Sequence, residues 1–415
     1  MRAIGVGASH LGCHRKNNED RHLVDDDLQL YMVADGMGGH AAGEIAAELA
    51  VDTAKATIEA ERALLTQLQA GKEPQEKLLT LVETAVREAS AEVYRVASTN
   101  DERAGMGCTL TLLLVGAGKA ALAHVGDSRL YLLRDGRLAQ LSSDHTMAAE
   151  LIRAGALSAE QAQKTRYAHV LTRSIGSQPA VQVDTLLIDL LAGDRFLLCT
   201  DGLVGTVGRN REKLARELDG VLRERPQALL ALATEADAND NVTAVVADVL
   251  TDDTEPVGEV SVGSDLRVRL DSLASVSLFE GLALASLQRL LHCCRVREVA
   301  TDEVIVEENH PCASLRVVLE GALAVSRNGH TLLELSAGDS VGHACLVAPR
   351  QARATLKATE PTRLLDLPRE RFDRLLRAQP WLGLALLERL GRWLANQLDE
   401  ALERAEVHMS AESLL

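Results

Sequence analysis

Leu28-Gln29-Leu30-Tyr31-Met32-Val33-Ala34-Asp35-Gly36-Met37-Gly38-Gly39-His40 is an apolar run that stops abruptly on an acid and then on glycines. Leu28–Ala34 reads as a buried strand, and its end leaves Asp35 at the rim of a sheet. The same device returns in Leu198-Cys199-Thr200-Asp201-Gly202-Leu203. A further carboxylate stands in Asp240-Asn241-Val242-Thr243, and Asp127 lies in Val125-Gly126-Asp127-Ser128-Arg129. Isolated acids at the ends of buried strands are able to converge on one point. Unpaired carboxylates repel each other there, so the pattern calls for a hard divalent cation. The chain carries its own control in Leu133-Arg134-Asp135-Gly136-Arg137-Leu138, whose Asp-Gly sits between arginines and aliphatics and reads as an ordinary hairpin turn. The signal is therefore the apolar lead-in and the order, not Asp-Gly alone.

At 415 residues the chain is too long for one typical core, and two domains are expected. An apolar fraction of 47% with 25% charged residues describes a soluble globular protein. The net charge of -16 excludes nucleic acid as the main partner, because phosphate binding needs a cationic face. Two Trp, four Tyr and three Phe leave little material for stacking bases. Nothing is basic enough to dock on an anionic membrane, and no apolar run reaches the roughly 20 residues that span a bilayer. Met1-Arg2-Ala3-Ile4-Gly5 turns polar by Ser9-His10 without building a signal-peptide core. Seven scattered cysteines, with Cys293 and Cys294 adjacent, fit free and mostly buried thiols in a reduced, cytoplasmic protein.

The first 250 residues alternate helical and strand patterns. A helical stretch runs from about Ala41 to Gln69. A second, from about Pro74 to Ser98, carries Leu78, Leu81, Val82, Ala85, Val86, Ala89, Val93 and Val96 on one face. Strands are expected at 107–115, 119–125, 129–134 and 137–141, joined by tight turns. Such strands covered by long helices point to an α+β domain, an antiparallel β-sandwich with helical outer layers. Residues 251–272 are acidic and begin with a Gly-, Ser- and Pro-rich segment, and they read as a flexible linker. A second domain is expected over 273–405. It has a short helix at Leu284–Cys294, an Asn328-Gly329 hairpin, and a last helix from Pro380 with Leu387, Leu390, Leu394 and Leu398 on one side.

Residues 1–250 resemble the bacterial form of the protein phosphatase 2C family, the metal-dependent serine/threonine phosphatases. The resemblance rests on an ordered set. It comprises Ser9-His10-Leu11-Gly12-Cys13-His14-Arg15-Lys16-Asn17-Asn18-Glu19-Asp20, Asp35-Gly36-Met37-Gly38-Gly39-His40 with Gly43-Glu44, and Gly105-Met106-Gly107-Cys108-Thr109. Gly126-Asp127-Ser128-Arg129, Ser143-Asp144-His145-Thr146, Leu171-Thr172-Arg173-Ser174-Ile175-Gly176, Asp201-Gly202 and Asp240-Asn241-Val242-Thr243 complete it. The fold it implies is an α-β-β-α sandwich. The activity it implies is hydrolysis of phosphoserine and phosphothreonine by in-line attack of a water activated by two Mn2+ or Mg2+ ions. Asp35 would bridge the ions, the Gly36 carbonyl would ligate one, and Asp201 and Asp240 would complete the second site. Asp127 with Asp201 would form a weaker third site. Arg15 would clamp the phosphate through its guanidinium fork, and Asp20 would orient a water. Partners would be phosphorylated proteins, the products of a serine/threonine kinase.

Three positions depart from the family pattern. His10 stands where an acid is common, Cys108 where Thr is frequent, and Met37 where many eukaryotic members carry a His thought to protonate the leaving group. His40 is the nearest substitute in sequence. Plainer readings also stand: Arg15 as a surface cation beside Glu19 or Asp20, His145 and His169 as loop or core histidines, Asp144 as the cap of a helix starting near Met147, and Asp194 as a turn residue. A pseudophosphatase scaffold or a ligand sensor is the alternative to an enzyme, and the intact acids speak against the scaffold.

From about Leu273 to Arg392 the chain is similar to a cyclic-nucleotide-binding domain, a β-roll with helices. Leu278-Phe279-Glu280-Gly281-Leu282, Val318-Leu319-Glu320-Gly321-Ala322-Leu323 and Ala337-Gly338-Asp339-Ser340-Val341-Gly342-His343 carry this likeness. Here the ribose-gripping acid is His343, and the phosphate-neutralising Arg falls on Ala352 between Arg350 and Arg353. A buried phosphate without its cation is costly, so cAMP and cGMP are disfavoured. His343, Arg350 and Arg353 are the candidates for any other ligand, and partner docking or control of the phosphatase is the remaining expectation.

Overall fold

In the computed structural model the described residues are 1–38, 42–99, 101–207, 210–251 and 259–412. The chain divides into two compact units, Met1–Glu259 and Val260–Leu415. No helix among the described residues is long and apolar enough to cross a membrane.

Unit 1 starts with β1 (Arg2–His10), β2 (Asp20–Asp25) and β3 (Leu30–Met37), followed by α1 (Ala42–Ala60), α2 (Arg62–Gln69) and α3 (Lys77–Thr99). Strands β4 (Gly107–Cys108), β5 (Leu110–Gly116), β6 (Lys119–Val125), β7 (Arg129–Arg134) and β8 (Arg137–Gln140) come next. The helices α4 (Met147–Arg153) and α5 (Ala159–Gln163) precede β9 (Asp184–Asp189) and β10 (Arg195–Cys199). α6 (Asp201–Val207), α7 (Arg211–Glu217), α8 (Arg225–Glu235) and β11 (Val242–Leu250) close the unit.

Two antiparallel sheets result, ordered β1-β11-β10-β7-β8 and β2-β3-β5-β6-β9. Their central strands are buried along nearly their whole length: β3 and β5 are covered on both sides because one face meets the other sheet and the opposite face meets α1 and α3. The α3 stripe from Leu78 to Val93 is buried in that core, while Val96 is only partly covered. On the outer face of the other sheet, α6 and α8 pack over Leu197, Val242, Ala244 and Val246. This is the expected α-β-β-α sandwich. The single helix expected at 41–69 is broken at Glu61 into α1 and α2. Asp135 (φ 51°) and Gly136 (φ 72°) form the turn between β7 and β8, so the control Asp-Gly is a hairpin.

Unit 2 has α9 (Glu259–Ser275), α10 (Leu284–Cys293), β12 (Arg295–Val299), β13 (Val304–Val306), β14 (Pro311–Cys312), β15 (Ser314–Glu320), β16 (Leu323–Arg327) and β17 (His330–Leu335). It continues with β18 (Ser340–Val341), α11 (His343–Val347), β19 (Arg350–Gln351), β20 (Thr355–Ala358), β21 (Thr362–Pro368), α12 (Arg369–Ala378) and α13 (Pro380–Glu412). The linker expected over 251–272 is corrected here: from Glu259 the chain is helical. Leu266, Leu270 and Leu273, at 4- and 3-residue spacing, are buried, which gives α9 a packed face that a solvated linker lacks. Two four-stranded sheets, β12-β21-β15-β18 and β13-β20-β16-β17, enclose a small apolar core. Asn328 (φ 50°) and Gly329 (φ 79°) make the expected hairpin between β16 and β17. The last helix is present, but its leucine stripe is divided: Leu390 is buried, whereas Leu387, Leu394 and Leu398 are exposed.

Candidate active site

Strand register gathers the carboxylates at one end of the two sheets. Asp20 begins β2 directly opposite Asp35 near the end of β3. Cys199, the last residue of β10, pairs with Ala244 of β11 and with Arg129 of β7, so Asp201, Asp240 and Asp127 all lie just beyond the same edge. The turn from β6 to β7 is fixed from below: Thr109 Oγ1 accepts the Asp35 N–H (2.9 Å) and shares a hydrogen bond with Ser128 Oγ (2.7 Å). Gly36 is required by close approach, since a Cβ there would sit 2.2 Å from the Gly43 carbonyl oxygen and 2.7 Å from that of Glu19.

Asp20 is buried and held from one side. Its Oδ2 accepts from the hydroxyls of Thr200 (2.8 Å) and Thr243 (2.7 Å), while Oδ1 has no partner. The Thr243 hydroxyl, having donated to Asp20, accepts from Ser9 (2.8 Å), which in turn accepts from Asn18 Nδ2 (2.7 Å). Asn241 anchors the loop before β2: its Oδ1 accepts the Glu19 N–H (2.8 Å), and its Nδ2 donates to the Leu11 (2.9 Å) and Asn17 (3.0 Å) carbonyls. Arg15, half-exposed on that loop, donates from Nη2 to Asp240 Oδ2 at 2.5 Å. Its ion partner is thus Asp240, not Glu19 or Asp20. Thr200, Thr243 and Asn241 were visible in the quoted motifs, but only the fold shows that they hold Asp20 and the Arg15 loop.

The electrostatics are those of buried carboxylates crowded together. Burial, then the charges of Asp20, Asp201, Asp127 and Asp240, push Asp35 well above the usual carboxylate range. Burial raises Asp20 to about 7 against the two threonine hydrogen bonds, with Asp201 and Asp240 adding to it. Burial followed by Asp201 and Asp144 lifts Asp127 to about 7, and Asp201 is raised by burial and by Asp240. Oδ1 of both Asp20 and Asp201 is buried without a hydrogen bond. Orphaned oxygens among like charges fit a hard divalent cation, and the all-oxygen donor set fits Mg2+ or Mn2+ rather than zinc. Among the described residues no three His, Cys, Asp or Glu side chains close into a cage for one ion. A cation that keeps several waters is bound through one or two carboxylates, and needs no such cage.

Several side chains settle differently from expectation. Asp144 does not cap α4: Thr146 does, accepting the Ala149 N–H (3.1 Å), while Asp144 takes a two-pronged ion pair from Arg129 (2.8 and 2.6 Å). Asp194 is more than a turn residue, because it is buried against Arg134 (2.7 and 2.5 Å) and accepts the Leu191 N–H (2.8 Å). His145 is a core histidine. Its Nδ1 accepts the Gly126 N–H (3.1 Å), which leaves Nε2 as the donor to Asp184 (3.1 Å). His169 is exposed in the turn after α5. Cys108 is buried, with its thiol directed to the Ala46 carbonyl. His40 lies outside the described residues.

In unit 2 the three candidate ligand residues do not gather. Arg350 and Arg353 are exposed, and the inward position between them is Ala352, packed in the core. His343 shares a hydrogen bond with Ser340 Oγ (3.2 Å) and stacks on Trp393 at 5.0 Å. Its pKa is lowered by burial alone, with no contribution from either arginine. A one-residue offset in extended chain turns the side chain to the other face, which is why Arg353 does not replace the missing cation.

Residues 296–379 match the model of the cyclic nucleotide-binding domain. Over 272 residues the chain is 36% identical to the serine/threonine protein phosphatase PstP of Mycobacterium tuberculosis, covering 64% of this chain and 50% of that one. The chain thus spans half the length of that relative. It is 32% identical over 237 residues to the serine/threonine phosphatase stp of Listeria monocytogenes, covering 56% of this chain and 91% of that one. Among solved structures, the catalytic domain of PstP in complex with two manganese ions superimposes with a TM-score of 0.52 at 33% identity, covering 60% of this chain and 99% of that one. The serine/threonine phosphatase Stp1 of Staphylococcus aureus gives a TM-score of 0.54 at 28% identity, covering 60% and 95%. Residues 6–238, more than half of the chain, match the model of protein phosphatase 2C, and the chain belongs to that family.

Proposed function

We propose that the protein is a metal-dependent serine/threonine phosphatase acting on phosphorylated proteins in the cytoplasm. The observation that carries this reading is the set of five acids, Asp20, Asp35, Asp127, Asp201 and Asp240, with two orphaned buried oxygens at one end of the sandwich. Asp35, the Gly36 carbonyl, Asp201 and Asp240 would hold two Mn2+ or Mg2+ ions, and Asp127 with Asp201 a third. Bound there, the ions supply charge neutralisation and an activated water. The chain's own groups do the rest. Arg15 exchanges Asp240 for two phosphate oxygens, a match to its planar fork. Thr200 and Thr243 fix Asp20 through Oδ2 and leave Oδ1 free to orient a water. Asn241 holds the loop that aims Arg15.

Unit 2 serves, in this reading, as a control or docking module that does not take cAMP or cGMP. Its support is Ala352 at the inward position and His343 stacked on Trp393. The test is phosphate release from a phosphothreonine peptide by the full chain with Mn2+, alone and with cAMP or cGMP. Turnover that Asp35→Asn abolishes and that nucleotides leave unchanged supports both parts. Turnover that responds to micromolar nucleotide refutes the reading of unit 2. Absence of turnover with Mn2+ shown to be bound refutes the phosphatase and leaves a scaffold.

A further inference from the structure

Two cysteines with no part in the phosphatase site meet inside unit 2. Cys312 ends β14 and Cys345 lies in the middle of α11, and their Sγ atoms are 2.8 Å apart. Both side chains are buried, and both are free thiols. A bonded pair of sulfurs is about 2.05 Å apart, so bond formation needs only a small movement. The surroundings are cationic. Arg316 Nη1 donates to Cys312 Sγ at 3.9 Å, and Arg350 stands opposite Cys312 in the β14–β19 pairing. Burial, and then the neighbouring Cys312, push the Cys345 thiol up to about 12 against the pull of Arg350 and Arg316, so the contact of the two sulfurs, not ready ionisation, is what brings them to react. Arg350 is exposed, whereas Cys312 and Cys345 keep only 6% and 5% of their surface, so an oxidant reaches the sulfurs through local opening of β14 and β19.

We propose that Cys312 and Cys345 form a reversible intramolecular disulfide when the protein meets a hydroperoxide. One thiolate attacks the peroxide, giving a sulfenic acid and hydroxide. The second thiol then displaces water from that sulfur, so that two thiols and one H2O2 become one disulfide and two waters. The bond pins α11, which carries His343, to β14, and a thiol reductant releases it. None of the candidate phosphatase residues takes part.

The experiment uses the reduced full chain, treated with H2O2, alkylated and cut with trypsin without reduction. Glu298–Arg316 holds Cys312 and Asn328–Arg350 holds Cys345, each with no other cysteine. The expected result is a linked pair of these peptides, lighter by two hydrogens than their sum and lost on treatment with dithiothreitol. Cys312→Ser and, independently, Cys345→Ser abolish it. Hydrogen exchange over 343–347 slows at least several-fold in the oxidised wild type. Recovery of both peptides singly alkylated after peroxide overturns the proposal. So does linkage to Cys293 or Cys294 instead, and so does a link already present in the reduced sample. The wild-type measurement decides on its own should a variant fail to fold.

Discussion

Replacing Asn241 by Ala removes a side chain that touches neither substrate nor metal ligand through its amide, yet the loss is expected to reach catalysis. The amide makes three hydrogen bonds to main-chain groups of the loop that carries Arg15: one from the Glu19 N–H and one each to the Leu11 and Asn17 carbonyls. Asn241 is only 4% exposed, so water does not readily replace these partners. At about 1 kcal/mol net per bond, and more for a group left buried and unpaired, the total is about 3 kcal/mol. For a unit of this size that corresponds to roughly 10 °C in the melting temperature of unit 1. Because the freed loop no longer holds Arg15 in one place, kcat/KM on a phosphothreonine peptide is expected to fall at least about tenfold. Asn241→Asp is expected to be no better. It retains an acceptor for the Glu19 N–H but sets a second oxygen against the two carbonyls that Nδ2 had served. Calorimetry resolves the unit 1 transition, and steady-state phosphate release gives the rate. A variant within 1 kcal/mol of the wild type and with unchanged kcat/KM would refute the argument that this amide organises the loop.

Four further outcomes are expected. Arg15→Lys keeps the charge but loses the fork, and kcat/KM is expected to drop at least about tenfold with no shift in melting, because the Arg15–Asp240 pair is half-exposed. Gly36→Ala places a Cβ against the main chain of Gly43 and Glu19 and is expected to abolish phosphate release; activity near wild type would contradict that close approach. Asp194→Ala leaves buried Arg134 without its carboxylate and is expected to destabilise unit 1 by about 3–5 kcal/mol, read from urea unfolding; a loss under about 1 kcal/mol would refute it. His124 is fully buried beside His145 and its pKa is lowered, chiefly by burial, to about 3. The unfolded chain takes up that proton below about 6.5 and the folded chain does not, so stability falls as pH drops through this window, by about 2 kcal/mol between pH 6.5 and 5. In metal-free protein the raised Asp20 and Asp127 act in the opposite sense, losing stability as pH rises from about 4 to 7. The difference between wild type and His124→Gln isolates the histidine, and parallel pH profiles for the two would disprove its role.

Much of this molecule was legible one element at a time. The apolar runs ending at Ala34 and Cys199 are strands for the reason expected: they are buried on both faces, so they need no polar alternation. The α3 stripe at helical spacing is buried, because a 3.6-residue period admits one partner face. Asp135-Gly136 and Asn328-Gly329 turn where they do because two successive positive φ values suit Asp-Gly and Asn-Gly, whatever surrounds them. The reading failed where composition stood in for periodicity. The acidic run before Leu266 concealed a helix whose buried leucines lie just beyond it.

The chain sequence by itself determined which residues lie at strand ends, since the apolar-to-acid boundary is a local property that burial enforces wherever the strand goes. It also determined that Ala352 is no phosphate cation, because an alanine has no charge in any fold. What only the tertiary structure decided is who meets whom. The partners of Asp20 come from residues 200 and 243, that of Asp194 from residue 134, and that of Cys312 from residue 345. Asp144, equally plausible as a cap, went instead to Arg129. The physical reason is that pairing across sheets is set by register and layer packing over long separations, and buried charge takes whichever counter-charge that packing brings near.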